Sequence, residues 1–230
     1  TAGVPGDWVS LLAAICATGL EDAEWVATAA GMAVPTECGR DACAAAADRA
    51  AGILEAHGLR LVAVRCRGVN PREFNALLAE GLNKSDLLSR ITLDLVAAAV
   101  VDAGRESVVW CDRHGGRRRY APLVARAFAS PLVQVDVETA ERSAYRIPGA
   151  ACRIEFSVRG ESRLPVAVAS MTAKYLRELS MRAFNGWWGG REAGLAPTAG
   201  YPVDAARWRR DAAAAVQEAG IPWDDLWRRA

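Results

Sequence analysis

Short apolar runs alternate with amphipathic stretches through the middle of the chain, and this alternation limits the possible folds most strongly. Three runs have the composition of β-strands: Glu106–Asp112, Leu132–Asp136 and Cys152–Glu161. Apolar residues at helical spacing predict helices over Leu123–Phe128 and Val166–Ala183. Strands that alternate with helices in this way are typical of α/β domains. We therefore predict an α/β fold.

The rest of the chain predicts mainly helices. The first third is rich in alanine, a helix begins after Pro71, and Asn83 is placed to cap another helix. Leu59–Cys66 is a further strand candidate. We expect residues 1–230 to form one domain, with the core sheet and helices at 59–183 and a C-terminal helical appendage at 197–230. The appendage includes a predicted helix over Val203–Ala219.

Composition excludes several classes of protein. The 230 residues include 28 basic and 27 acidic side chains, a balance that argues against a polybasic tail and against disorder. We find no apolar run of about 18 residues that could span a membrane, and no secretory signal. Six scattered cysteines and two histidines lack zinc-site spacing. We expect the cysteines to be small, buried, reduced residues of a cytoplasmic protein, with a single disulfide as the alternative.

Two of the predicted strands end in an acidic residue, Asp112 and Glu161. Ligands of open α/β sheets collect beyond the carboxyl ends of the strands. Carboxylates that converge there can hold Mg²⁺ or Mn²⁺, which can activate water for attack on a phosphodiester. The alternative is that each acid caps the turn or helix that follows it.

A basic loop adjoins Asp112. It contains four arginines, two glycines and a histidine within Arg113–Tyr120. Because the whole chain is nearly neutral, this local density of positive charge indicates a polyanionic ligand. The alternative is a solvated loop. His114 could assist proton transfer or contact phosphate, but the sequence identifies no partner for it.

One part of the chain resembles type 2 ribonuclease H. In that family a strand ends in Gly-Asp-Ser and leads into a helix that reads roughly Ala-Ser-Ile-x-Ala-Lys-x-x-Arg-Asp. Here Val158–Ser162 precedes Val166–Glu178, in which Ser170, Ala173, Lys174 and Arg177 match the family helix. Glu161 takes the position of an acidic metal ligand.

Further stretches agree with the family in serial order. Val109–Asp112 resembles a strand that ends in another catalytic aspartate, and Thr198–Asp204 resembles the family's Lys-Gly-Tyr-Gly-Thr segment. Glu73–Asn75 and Asn83–Leu88 resemble the preceding helix pair. The resemblance spans Leu59 to Arg210.

The resemblance implies an α/β fold with a ribonuclease H-like mixed sheet flanked by helices, and a metal-dependent endonuclease that hydrolyses the RNA strand of RNA–DNA hybrids. Asp112 and Glu161 would be catalytic and would hold Mg²⁺ or Mn²⁺. The expected partner is nucleic acid, either a hybrid or a duplex, with no membrane and no obligate protein partner. The residues expected to bind nucleic acid are Arg113, Arg117, Lys174, Arg177 and Tyr201.

The chain also departs from the family. It lacks the opening Gly-x-Asp-Glu-x-Gly-Arg-Gly strand and the later Asp-Ser-Lys motif, and it begins at Thr1. We expect that the opening strand is missing from this sequence; the alternative is a catalytically degenerate nucleic-acid-binding protein. Glu161 is one methylene longer than the family's aspartate, which would displace a bound ion. A third possibility is a scaffold that docks another protein through the arginine loop and the tryptophan-rich C-terminal region.

Overall fold

The computed structural model describes residues 4–15, 17–20, 24–104 and 106–229. These residues form two compact units. Unit 1 consists of the described residues up to Asn70 together with Tyr175–Trp227, and unit 2 consists of Pro71–Lys174 with the C-terminal Arg228 and Arg229.

Unit 2 contains the sheet, and most of the remaining chain is helical. The helices in chain order are α1 (Trp8–Ala14), α2 (Glu24–Thr28), α3 (Arg40–Ala56), α4 (Pro71–Ala79), α5 (Lys84–Ala103), α6 (Ala121–Ala127), α7 (Leu164–Gly189), α8 (Pro202–Asp211), α9 (Ala213–Glu218) and α10 (Trp223–Leu226). The strands are β1 (Ser107–Asp112), β2 (Gln134–Glu138), β3 (Arg142–Ile147) and β4 (Cys152–Ser157).

The four strands form a mixed sheet in the order β1-β4-β3-β2. β1 runs parallel to β4, whereas β4, β3 and β2 pair antiparallel. The parallel pair aligns Ser107 with Cys152 and Asp112 with Ser157, so both strands end at the same edge of the sheet. The predicted α/β class is therefore confirmed.

α5 and α6 cover one face of this sheet. Leu93 of α5 and Val124 of α6 are fully buried against Ile154 and Phe156 of β4. The ring of Phe156 stacks on Tyr120, with the centroids 3.7 Å apart and the planes nearly parallel. Burial of this apolar and aromatic surface is the main source of stability for unit 2.

α5 begins where the sequence predicts. The side chain of Asn83 accepts a hydrogen bond from the backbone amide of Asp86, and the carboxylate of Asp86 accepts one from the amide of Asn83. This reciprocal pair satisfies two amides that have no partner within the helix. Gly104 closes the helix in a left-handed conformation, with φ of +61°.

The strand predicted over Leu59–Cys66 is wrong. The segment has no regular secondary structure, and Leu59, Leu61 and Val62 are exposed. A strand needs a neighbour to pair with its backbone amides and carbonyls. Within the described chain the nearest such pairing is a single bridge between Thr18 and Arg67, just after the segment.

Two other boundaries differ from the prediction. β4 ends at Ser157 rather than at Glu161, because Arg159 adopts a left-handed conformation with φ of +59° and a 3₁₀ turn follows. The predicted helix over Val203–Ala219 is divided at Ala212 into α8 and α9.

β3 was not predicted from the sequence. Ser143, Ala144, Tyr145 and Ile147 are buried, whereas Arg142 and Arg146 are exposed, so burial does not alternate strictly along the strand. The two arginines make the segment polar on average, and a search for apolar runs or strict alternation therefore misses it.

Unit 1 is helical and has two apolar clusters. One contains Trp8, Val26, Leu176 and Leu179. The other contains Phe184 together with three buried tryptophans, which are Trp187, Trp188 and Trp208. These buried tryptophans therefore pack the helices of unit 1 against one another.

The described cysteines differ in burial. Cys111 and Cys152 are buried in unit 2 as predicted, whereas Cys43 and Cys66 are half-buried and Cys38 is exposed, so the expectation of burial is wrong for these three residues. Cys38 lies just before the N-cap of α3, a helix in which no residue is fully buried. Cys16 lies outside the described residues. None of the described helices combines the length and the apolar character that crossing a membrane requires.

Alkylation should distinguish these thiols. Burial raises the pKa of Cys111 to about 12 and that of Cys152 to about 11. At pH 8 we expect iodoacetamide to label Cys38 at least about 100-fold faster than either buried cysteine, because the thiolate is the nucleophile. Mass spectrometry of peptides after timed labelling measures the rates, and labelling in guanidinium chloride is the control. Equal rates in the folded protein would contradict the structure.

Candidate functional site

The two strand-end acids of unit 2 lie on neighbouring segments. Asp112 is the last residue of β1, and the strand beside it, β4, leads through Val158 and Arg159 into the 3₁₀ turn Gly160–Ser162. The amide of Gly160 donates a hydrogen bond of 3.0 Å to Oδ1 of Asp112. Glu161 is the next residue, and both acidic side chains are exposed. Asp112 and the turn that carries Glu161 therefore lie at the same edge of the sheet.

Gly160 allows this approach. A β-carbon built on Gly160 would lie 2.9 Å from the α-carbon of Asp112 and 3.1 Å from its amide nitrogen. Contacts this short require one segment to move. Because Gly160 has no side chain, the turn that carries Glu161 can lie directly against the end of β1.

The two carboxylates can supply oxygen ligands to a hard cation. Among the described residues no group of three or more histidine, cysteine or acidic side chains could hold a metal ion. One oxygen of Asp112 already accepts the Gly160 amide. Mg²⁺ is often bound by one or two carboxylates together with water and phosphate oxygens of a substrate. The two carboxylates fit an ion that a substrate phosphate and water also bind. They are too few to bind an ion through protein ligands alone.

Two arginines of the basic loop, Arg113 and Arg117, are held by contacts with other parts of unit 2. The guanidinium of Arg113 donates to the backbone carbonyls of Thr139 and Ala140 in the β2–β3 turn. Arg117 pairs with Asp86 of α5 and lies 5.9 Å from the ring centre of Tyr120. Both residues were predicted to bind nucleic acid, and both have contacts within unit 2.

The same loop borders an open depression of about 480 Å³ on unit 2. Its lining consists of Ser85, Gly116, Arg117, Arg118 and Arg119. Sequence reasoning noted the arginine run but did not include Ser85. That residue comes from α5, and its hydroxyl donates a hydrogen bond of 3.0 Å to the His114 carbonyl and accepts one of 3.4 Å from Nε of Arg117.

His114 is buried inside this loop. Its Nδ1 is 2.9 Å from the hydroxyl of Ser89, and its ring packs edge-on against Tyr120 and Phe156. Burial lowers the pKa of His114 to about 4; the negative charge of Asp112 opposes this shift, and the positive charge of Arg117 adds to it. The imidazole is therefore neutral near pH 7, and it supports the loop from within the core.

Unit 1 brings together two other predicted residues, Arg177 and Tyr201. The guanidinium carbon of Arg177 is 4.6 Å from the ring centre of Tyr201, whose side chain remains 62% exposed. Arg177 also donates to the Ala199 carbonyl and pairs with Glu178 at 2.8 Å. Lys174, on α7, is exposed.

Asp204 holds the loop that carries Tyr201. Its carboxylate accepts hydrogen bonds from the Thr198 hydroxyl at 2.8 Å and from the Ala199 amide at 2.7 Å. The hydrogen bond from Arg207, reinforced by those from Thr198 and Ala199, lowers the pKa of Asp204 to about 2. Asp204 thus orients the loop.

Comparisons with protein-family models, with curated proteins and with solved structures find no match to this chain.

The buried His114 should make stability fall in mild acid. Its pKa is about 4 in the folded protein and near 6.5 when unfolded, so the unfolded chain binds the proton first as the pH falls. We expect a loss approaching about 3 kcal/mol of unfolding free energy between pH 6.5 and pH 4. Urea unfolding across this range measures it. His114→Gln should flatten the profile, whereas His57→Gln, at an exposed histidine, should keep it; an unchanged profile in His114→Gln would contradict the assignment.

Gly160→Ala should weaken the sheet edge. The added methyl group would displace the turn from Asp112, at a cost of roughly 1–3 kcal/mol in unfolding free energy. Gly149→Ala is the matched control, because a β-carbon there meets nothing within 4 Å. Chemical denaturation of both variants measures the difference. Equal stability of the two variants would show that the close approach does not matter.

Proposed function

We propose that this protein is a metal-dependent endonuclease that cleaves the RNA strand of RNA–DNA hybrids. The observation that carries the proposal is the hydrogen bond between the Gly160 amide and Asp112, since it holds two exposed acids, Asp112 and Glu161, at one edge of the sheet. The arginine-rich loop that follows Asp112 supplies positive charge beside this edge. Acidic metal ligands next to basic residues suit a phosphodiester substrate.

The fold agrees with the proposed family. The resemblance to type 2 ribonuclease H is supported by a mixed sheet with helices packed on it, in which β1 ends at Asp112 and the turn after its parallel neighbour β4 carries Glu161. The order of the matching segments along the chain is further support. We also propose a cytoplasmic location, where an exposed thiol such as that of Cys38 stays reduced.

The predicted site residues would either bind the metal ion or contact the nucleic acid. Asp112 and Glu161 would hold Mg²⁺ or Mn²⁺, and such an ion would activate water and stabilise the charge that develops on the phosphate. Lys174 and Arg177 would neutralise backbone phosphates, and Tyr201 would contact the sugar–phosphate backbone. Arg117 would add positive charge from a position that its contact with Asp86 makes rigid.

Cleavage of a labelled hybrid in Mg²⁺ or Mn²⁺ tests the proposal. We expect Asp112→Asn to lower the cleavage rate on the order of 100-fold, because the charge is lost while the side chain can still accept from Gly160. Asp94→Asn, at an exposed acid of α5 in the same unit, is the control and should retain activity. Inactivity of the wild-type chain, or equal rates in wild type and Asp112→Asn, would overturn the proposal.

A second candidate is a nucleic-acid-binding protein that does not cleave. It is favoured by the role of Asp112 as an acceptor for the Gly160 amide, since such a contact also suits a purely structural acid. This candidate predicts hybrid binding in EDTA that weakens with salt and depends on Lys174 and Arg177. Binding without cleavage, unaffected by divalent ions, would support it over the nuclease.

A further inference from the structure

The arginine-lined depression of unit 2 has the features of a site for an anion. Three arginines, Arg117, Arg118 and Arg119, line it together with Ser85 and Gly116. Arginine presents a planar set of donors that matches the oxygens of a phosphate group. The wall on the α5 side includes Ser85 from the first turn of a 20-residue helix, the end at which its dipole is positive.

Hydrogen bonds with buried residues hold the backbone around the depression in place. The Ser143 hydroxyl donates to the Arg118 carbonyl at 2.6 Å, and the Tyr120 amide donates to the Tyr145 hydroxyl at 2.8 Å. The Tyr120 hydroxyl in turn accepts from the His114 amide at 3.0 Å. These partners are buried residues of the sheet and its core. A ligand would therefore meet arginines on a fixed backbone, which lowers the entropy cost of binding.

The three arginines of the depression differ in how closely acidic side chains hold them. Asp86 balances Arg117. Glu138 is 3.9 Å from Arg119, but the arginine side chain is 88% exposed, and Glu138 also accepts from the Tyr145 hydroxyl. No ion pair joins Arg118 to any residue in the described ranges, and Glu141, the other acid nearby, interacts with Arg118 only through its charge. Arg118 and Arg119 thus remain available to an anion.

We propose that this depression binds a phosphate group of the nucleic-acid substrate, with Arg118 and Arg119 as its principal ligands. The inference rests on the proposed function for the identity of the substrate. The depression is open and larger than a phosphate ion, so it can accept a phosphate that remains attached to a chain. The phosphate is either an internal backbone diester or a terminal monoester, since both present the same oxygens to arginine.

The test compares two double variants that remove the same charge. Arg118→Gln/Arg119→Gln removes the proposed ligands. Arg90→Gln/Arg126→Gln removes two exposed arginines elsewhere on unit 2, each of which pairs with an acid. Binding of a labelled hybrid is measured in EDTA over a series of salt concentrations. We expect the first double variant to bind at least about 10-fold more weakly at low salt, with a log–log salt slope smaller by about 2. The control should retain the wild-type slope.

Two further measurements show whether the bound phosphate is a terminal group or part of the backbone. Oligonucleotides with and without a 5′-phosphate are compared, and inorganic phosphate is used as a competitor. A preference for the phosphorylated end that disappears in Arg118→Gln/Arg119→Gln assigns the site to a terminal phosphate; equal losses for both oligonucleotides assign it to the backbone. Wild-type affinity and slope in that variant, or an equal loss in the control, would overturn the inference.

These results are separable from those for the nuclease. The binding measurements use no divalent ion and no cleavage. Absence of cleavage with an intact, Arg118-dependent salt slope would overturn the nuclease alone. Normal cleavage by wild type, with no effect of the double variant on binding, would overturn the phosphate site alone.

Discussion

The parallel pairing of β1 with β4 is the interaction on which the rest of unit 2 depends. It aligns the ends of two strands that are separated by 39 residues of intervening chain between Asp112 and Cys152. At this edge Gly160 lies close to the backbone of Asp112, and its amide donates a hydrogen bond to the Asp112 carboxylate. The positions of both acids, and of the basic loop that leaves β1, follow from this one register. A shift of one residue would turn Asp112 to the other face of the sheet.

A buried polar network makes the basic loop rigid. The Ser89–His114 contact and the hydrogen bond from the His114 amide to Tyr120 lie against the aromatic core, where unpaired polar groups would be costly. A charged imidazole would be unfavourable there, and the low pKa of His114 has the same origin. Rigidity of the loop and sensitivity to mild acid are therefore two consequences of one buried residue.

Local signals in the sequence were sufficient for several elements. Asn83 and Asp86 predicted the start of α5 because a capping box is complete within four residues. β1 and β4 were recognisable from their apolar composition, although most residues of β4 are buried while in β1 only Cys111 is. β3 was missed because its exposed arginines dilute the apolar signal. Leu59–Cys66 was mistaken for a strand because apolar composition predicts a strand only where a neighbouring backbone is available to pair with it.

The sequence by itself determined the α/β class, the acids that follow two apolar strands, and the concentration of arginines after Asp112. These properties depend on residue type and short-range spacing. Only the tertiary structure decided that Asp112 meets the turn carrying Glu161, that His114 is a core residue, and that Ser85 joins Arg118 and Arg119 around one depression. Each of these depends on contacts between residues 25 or more positions apart, which strand register and helix packing establish and which no local pattern encodes.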